Sequence, residues 1–505
     1  MRYYLTFLLI ITLVFFSSCR KDFSANLSTG NLQFSKDTVY LDTVFTNIGS
    51  STYNLKVYNK SNKTISIPSV QLGKGENSLY RLNVDGTSGK TFENIEILAN
   101  DSLYIFIETT IDYTLVTNPI YTDAIIFDTG VNLQDVKLIT LVKDAHFLYP
   151  SKDLNGLVET ININTDSNGE EISVRGFYLN ENTTFTNVKP YVIYGYCAIP
   201  ENKTLTIEAG ANIHFHSNSG LIVNKNATLI INGELNNEVL IEGDRLENKF
   251  SDIPGQWGTI WLRAGSKNHN INYAIIKNAS AGIIVDSIGS NSAPTLTIKN
   301  TQIYNSSNFG ILARETNIKG ENLVINNSGQ SSLACIIGGT YNFTHSTFVN
   351  FWNNSLRQYP SVLINNFFTY TENNTQIIET RNLNAANFTN CIIDGNNNIE
   401  LVIDKVEGAN FNYYFKNNLL KFNDLNNSYT DIIEYNFEDT NYYLDNILNG
   451  NPNFKSPMDN DLIIGKNSDA NQKANLQGTS QVPTDILGVL RDIPADIGAY
   501  QHIDF

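Results

Sequence analysis

The chain has 505 residues with 41% apolar side chains, enough for a large core and more than one domain, and its 34 Lys and Arg against 50 Asp and Glu give a net charge of −16. That sign excludes a protein that must neutralise phosphates to hold nucleic acid. Many Tyr and Phe (26 and 27), few Met (2) and Pro (12), and Asn throughout favour strands joined by turns in which Asn tolerates left-handed backbone angles, so an all-β chain is expected.

The chain opens with Arg2, an apolar run from Leu5 to Phe16 that is short for a bilayer span, then Ser17, Ser18 and Cys19. Small residues directly before a cysteine resemble the lipobox of bacterial lipoproteins. The resemblance implies a signal peptide over 1–18, Cys19 as the lipid-attachment residue and a tether over 19–30. Acyl chains contribute about 0.8 kcal/mol per buried methylene, so an acylated Cys19 would hold the protein on a membrane without a spanning helix. An outer-membrane lipoprotein exposed at the cell surface is expected, because the charged "RKD" after Cys19 resembles surface-export signals. The alternative is a plain secretory signal with an incidental cysteine. Cys197, Cys335 and Cys391 remain, an odd number that excludes a full disulfide framework, and no CxxC or Cys/His spacing suggests zinc.

Over 31–145 short alternating strands such as "DTVYLDTVF", "YNLKVYNK" and "SLYIFIETTI" are separated by turns such as "VDGTSG", which predicts a small β-sandwich. The stretch "TVFTNIGSSTYNLKVYNKSNKTISI" resembles the immunoglobulin-like modules of bacterial surface proteins. A bridging segment over 146–188 follows, and from 189 onward the text repeats itself. "INYAII" at Ile271, "IKNTQI" at Ile298, "IKGENL" at Ile318, "FTHSTF" at Phe343, "LINNFF" at Leu363, "FTNCII" at Phe388 and "FKNNLL" at Phe415 each carry apolar residues five apart. One such unit cannot bury its own apolar face, so the units must stack. Three short strands per unit, turning at Asn and Gly such as Asn278, Asn305, Asn350 and Gly395, predict a right-handed parallel β-helix with asparagine ladders between coils.

From 189 to 505 the chain resembles pectate-lyase-like β-helix lipoproteins of the Bacteroidetes type, on "GQWGTIWLRAGSKNHNINYAIIKNASAGI" and on the tail "DILGVLRDIPADIGAYQ" with Gly488, Arg491, Asp496 and Gly498. The tail resembles the terminal motif that closes such helices. The fold hosts many chemistries, so the resemblance implies fold more than activity. Relatives include lyases that use Lys or Arg beside calcium-binding carboxylates, and hydrolases with clustered aspartates, but the Trp-Ile-Asp-His, Gly-His-Gly and Arg-Ile-Lys signatures are missing. No catalytic residue is assigned. "NTD" at Asn164 to Asp166 matches a hydrolase fragment but has no companions.

Strand alternation puts Trp261 and Arg263 on the face opposite Ile260 and Leu262, where they could stack on and hydrogen-bond a sugar, or be covered by another part of the chain. Lys277, Arg314 and Glu315 are further groove candidates. His214 and His216 share a strand face and are the only metal candidates, weak without a third ligand. The expectation is therefore a membrane-anchored, non-catalytic lipoprotein whose β-helix offers a surface to a glycan or a surface protein, without cofactor. The alternative is a divergent polysaccharide lyase or hydrolase acting on an acidic polysaccharide, with Ca²⁺ entering only under the lyase reading.

Overall fold

The structure, a computed structural model, describes residues 25–166, 168–287, 293–372 and 375–505. The signal segment, Cys19 and the first tether residues lie outside these. The chain forms two compact units that separate between Asp144 and Ala145.

In the first unit a six-stranded sheet (Asn26–Leu27, Thr38–Phe45, Ile65–Leu72, Thr91–Ile97, Ile120–Phe127, Gln134–Lys143) and a five-stranded sheet (Gln33–Phe34, Tyr53–Tyr58, Tyr80–Val84, Thr87–Gly89, Ser102–Thr109) share one core. Alternation supplies it: Val39 and Leu41, Leu55 and Val57, Ile105 and Ile107, and Val136 and Leu138 all point inward and are buried.

The second unit is built on two large, almost wholly parallel sheets of eleven and eighteen strands. In a run such as Gly220–Val223, Thr228–Asn232 and Val239–Gly243, the first two strands join the larger sheet and the third joins the smaller. Each pairs in parallel with its counterpart in the next run, Ile260–Leu262, His269–Asn272 and Ala274–Lys277. Phe309–Glu321 and Leu333–Thr344 pass through both positions of the larger sheet as single long strands, which turn at Glu315 (φ 48°) and Ile337 (φ 63°). The segment set apart as a bridge is built into these sheets. His146–Leu148 pairs with Tyr191–Ile193, and Thr183–Phe185 extends the larger sheet beside Leu205–Ile207.

One inward row runs Ile271, Ile298, Gly320, Phe343, Phe388, Phe415, Tyr443. This corrects the repeat alignment at two places. The third unit starts at Gly320, not Ile318, because the ring of Phe343 fills the space above it: a Cβ on Gly320 would meet Phe343 Cδ1 at 2.5 Å. Leu363 belongs to another row, paired with Ala334 and Val402, and the hairpin Phe367–Glu372 with Thr375–Thr380 stands between it and the next rung. The Phe388 and Phe415 rings stack at 4.9 Å and 4°. Each fully buried apolar side chain contributes about 1.5–3 kcal/mol, so this row is a main source of stability.

The residues that end this row's strands, Asn300, Asn322, Asn390 and Asn417, all have positive φ (46°, 52°, 57° and 52°), the conformation Asn accepts at low cost. Their side chains link successive rungs: Asn300 Nδ2 donates to Asn272 Oδ1 at 2.9 Å, and Asn322 Nδ2 to Asn300 Oδ1 at 2.9 Å. A second ladder joins Asn278, Asn305 and Asn327. Along its later strands the smaller sheet packs apolar side chains on both faces. Ile303, Ile325, Phe348, Ile393 and Leu420 point inward, while Tyr304, Val324, Val349, Ile392 and Leu419 pack against Leu462, Ile464, Ile486, Ile497 and Tyr500 of the tail. Buried Arg491 donates to Asn322 Oδ1 at 2.8 Å, and Asp496 accepts from the Gln472 and His502 amides, which fixes the tail along this sheet. Among the described residues no helix is long and apolar enough to cross a membrane.

Candidate functional site

The structure brings Trp261, Arg263 and Arg314 together and occupies them with protein contacts. Trp261 Nε1 donates to Asp286 Oδ2 at 2.7 Å, and Arg314 Nε reaches Asp286 Oδ1 at 2.6 Å. The hairpin Thr160–Thr165 with Glu171–Tyr178 lies over this face: Trp261 packs with Ile161, Ile163, Val174 and Ile222, and Arg263 donates to the Asn162 and Ile163 carbonyls and to Asn224 Oδ1. The "NTD" fragment belongs to the same hairpin, where Asp166 Oδ1 accepts the Asn168 and Glu170 amides and closes the turn. The guanidinium of Arg263 lies 5.6 Å from the Trp261 ring centre. This patch therefore holds a hairpin in place instead of presenting a stacking surface.

Lys277 and the histidines form a second row of contacts. His214 Nδ1 is 3.6 Å from Glu242 Oε1, whose other oxygen is 3.2 Å from Lys277 Nζ, and His216 Nδ1 is 2.7 Å from Asp244 Oδ2. His214 is buried, and the His216 ring stacks on Tyr194 at 4.5 Å. Each imidazole faces one carboxylate, and among the described residues no group of three His, Cys, Asp or Glu side chains converges. Cys197, Cys335 and Cys391 are unpaired core residues, and burial pushes the Cys391 thiol up to about 12.

A different region is open. Between the inward residues of the row described above, two outward rows run side by side: Thr297, Lys319, Asn342, Asn387, Tyr414, and Lys299, Glu321, Thr344, Thr389, Lys416. All of these but Thr297 floor a groove of about 850 Å³. Its wall is the short helix Leu476–Gln481 with its capping residue Asn475, which contribute Asn475, Gln477 and Gln481 to the lining. The helix is held on the asparagine ladder: Asn390 Nδ2 donates to the Asn475 carbonyl at 3.0 Å, and Asn417 Nδ2 to the Lys473 carbonyl at 3.1 Å. Gly478 permits this approach, because a Cβ there would meet Asn390 Nδ2 at 2.5 Å. At the ladder position before Asn390 stands His345, whose Nε2 meets Asn390 Nδ2 at 2.9 Å; burial, with Arg491 nearby, holds it neutral, well below the usual imidazole range.

Three lysines against one glutamate leave this groove at about +2 in a chain of −16. Lys299 and Lys319 each lie 2.7 Å from a Glu321 oxygen, whereas Lys416 has no ion-pair partner among the described residues. Burial pushes the Glu321 carboxyl upward, but hydrogen bonds from both lysines and their charges outweigh it and leave it below the usual carboxylate range. Asn342 and Asn387 are joined at 2.8 Å and present further amide groups. Neighbouring strands lie roughly 4.8 Å apart, so Lys319 and Lys416, three strands apart, are separated by about 14 Å along the stacking direction. Glu321 is the single carboxylate among the groove's described lining residues, while paired-acid hydrolysis needs two.

The groove lysines were within reach of the sequence. Lys299, Lys319 and Lys416 are each the second residue of an aligned unit, "IKNTQI", "IKGENL" and "FKNNLL", which marks an outward position recurring on one face. The two-residue slip at Ile318 hid Glu321 as the true counterpart of Lys299 and Lys416.

No protein-family model and no curated protein matches the chain. Among solved structures it is similar to a family 123 glycoside hydrolase from Clostridium perfringens, described for glycolipid glycan hydrolysis, at 9% identity and TM-score 0.16 over 23% of this chain. The match spans 30% of that protein's length, and so distant a likeness carries no argument.

Proposed function

We propose that the chain is a cell-envelope lipoprotein, anchored at Cys19 in the outer membrane, that holds an acidic polysaccharide in the lysine groove. On this reading the three-strand runs are coils of a right-handed parallel β-helix. The polymer lies along the stacking direction, its anionic groups meeting Lys299, Lys319 and Lys416 while the Asn and Thr side chains hydrogen-bond its hydroxyls. The observation that carries this is the local charge: an open groove at about +2, with one lysine that has no ion-pair partner among the described residues, in a protein at −16.

The test is titration of the full chain with polygalacturonate, alginate and chondroitin sulfate against dextran. Binding to an acidic polymer that weakens with salt and with the triple change Lys299→Gln, Lys319→Gln and Lys416→Gln supports the proposal; equal binding to dextran defeats it. A lyase acting on the same polymer is the second reading, favoured by unpaired Lys416 beside Tyr414, and it predicts new absorbance at 235 nm during the titration. Retention without that signal supports a binding protein. Protease shaving of intact cells checks the surface location, and complete protection would overturn it.

A further inference from the structure

The first unit carries a separate concave site on its five-stranded sheet. On Ser102–Thr109 the inward residues are Ile105 and Ile107, so Tyr104, Phe106 and Glu108 face the other way. Tyr104 and Phe106 are 47% and 45% exposed, with ring planes within 17° and centres 6.4 Å apart. Strand register sets Phe106 between Asn54 and Asn83, and Glu108 opposite Arg81. Lys56 Nζ sits 5.1 Å above the Tyr104 ring, which leaves Phe106 as the ring lining a cavity of about 630 Å³.

The polar groups around Phe106 are held in place. Arg81 Nη2 meets Glu108 Oε2 at 3.3 Å and its Nη1 donates to Thr110 Oγ1 at 3.0 Å, while Asn83 Nδ2 donates to Ser88 Oγ at 3.2 Å. Lys90 bonds the Glu76 carbonyl across the cavity rim. The lining charges cancel, Arg81 and Lys90 against Glu76 and Glu108. A cavity without net charge gives a polyanion nothing to gain, in contrast to the lysine groove. A guanidinium, a carboxylate and a primary amide beside an exposed ring match a pyranose: its C–H face packs on the ring, and vicinal hydroxyls both donate to the carboxylate and accept from the guanidinium. The volume falls within the range of small-ligand clefts.

We propose that this cavity binds a neutral saccharide, with Phe106 as the stacking platform and Arg81, Glu108 and Asn83 as the hydroxyl-reading groups. It is a second glycan site that does not depend on the lysine groove.

The test titrates the full chain calorimetrically with β-1,4-glucan, β-1,4-mannan and α-1,4-glucan hexasaccharides. The expected result is saturable binding to at least one of them, unchanged on raising salt to about 0.5 M. Affinity should fall by about tenfold in Phe106→Ala and in Arg81→Met, and stay at the wild-type value in Lys416→Gln. If Phe106→Ala does not fold, Phe106→Leu, which keeps apolar volume but removes the ring, gives the same reading. Binding to none of the three sugars, wild-type affinity in the folded Phe106 variant, or loss of neutral-sugar binding in Lys416→Gln would each overturn the proposal.

Discussion

Two outward patches of the same eighteen-stranded sheet share a chemistry on paper, and the structure treats them oppositely. Around Trp261 each polar group has a protein partner: the indole and Arg314 converge on Asp286, Arg263 holds backbone carbonyls, and a hairpin closes over them. Along Lys299 to Lys416 the floor is mostly Thr, Asn and Lys with Tyr414, one cation has no ion-pair partner among the described residues, and the helix stands beside the floor. An outward aromatic next to an arginine thus marks packing here, and an outward row of small polar residues with surplus charge marks a surface left open, the one proposed above for a glycan. Large amphipathic side chains gain most from being covered, which is why they attract a hairpin.

Five measurements bear on that contrast. Acid gives the largest expected effect. His269 starts the strand that carries Asn270 and Asn272 outward, and burial lowers its pKa to about 3, against about 6.5 in the unfolded chain. A depressed histidine stabilises the fold fully above pH 6.5 and loses that contribution as pH falls toward 3, by about 1.4 kcal/mol per pH unit. His269 alone should remove about 2 kcal/mol by pH 5 and buried His345 adds to the loss in the same direction, so acid outweighs each substitution below, and His269→Gln should make the fall of the unfolding free energy over this range less steep. Glu321, held below the usual carboxylate range, is ionised at pH 5, so binding of a sulfated glycan at pH 5 should remain within about twofold of that at pH 7. Next, Trp261→Ala should cost about 2–3 kcal/mol in urea unfolding and leave acidic-glycan affinity unchanged; a loss of affinity would break the contrast. Lys416→Gln should do the reverse, weakening that affinity by about tenfold at low salt while stability moves by less than about 0.5 kcal/mol. Smallest, Glu321→Gln releases two lysines and should raise affinity about twofold to threefold in the same titration.

The all-β class and the parallel repeat were legible because inward Ile and Phe recur at strand spacing, and because Asn recurs where the backbone needs positive φ. The repeat register was harder to read. Gly320 leaves a gap in the apolar row that alignment by hydrophobic residues fills with Ile318, and the hairpin from Phe367 to Thr380 lengthens one interval. The segment 146–188 reads as a bridge because it lies outside the repeated text, yet two of its strands, His146–Leu148 and Thr183–Phe185, have their partners in the first repeats. Of the candidate site residues, Trp261, Arg263 and Arg314 stood out by residue type, and their contacts run to Asn162, Ile163 and Asp286, which no local pattern reveals. The groove escaped notice since it is an alignment of ordinary residues across strands, visible only once the rungs are in register.

The constancy of those rungs has a consequence for how such a surface can change. Backbone pairing sets the rise per strand, so any charge on an outward row can sit only at whole multiples of that rise, whatever the length of chain between strands. The interval from Phe343 to Phe388 absorbs a whole hairpin and still places its residues one rung apart. The groove is in effect a ruler with fixed graduations: point changes move a cation by discrete steps and insertions leave the scale untouched, so under the proposed function selectivity for the charge spacing of a polymer could be re-tuned without rebuilding the scaffold.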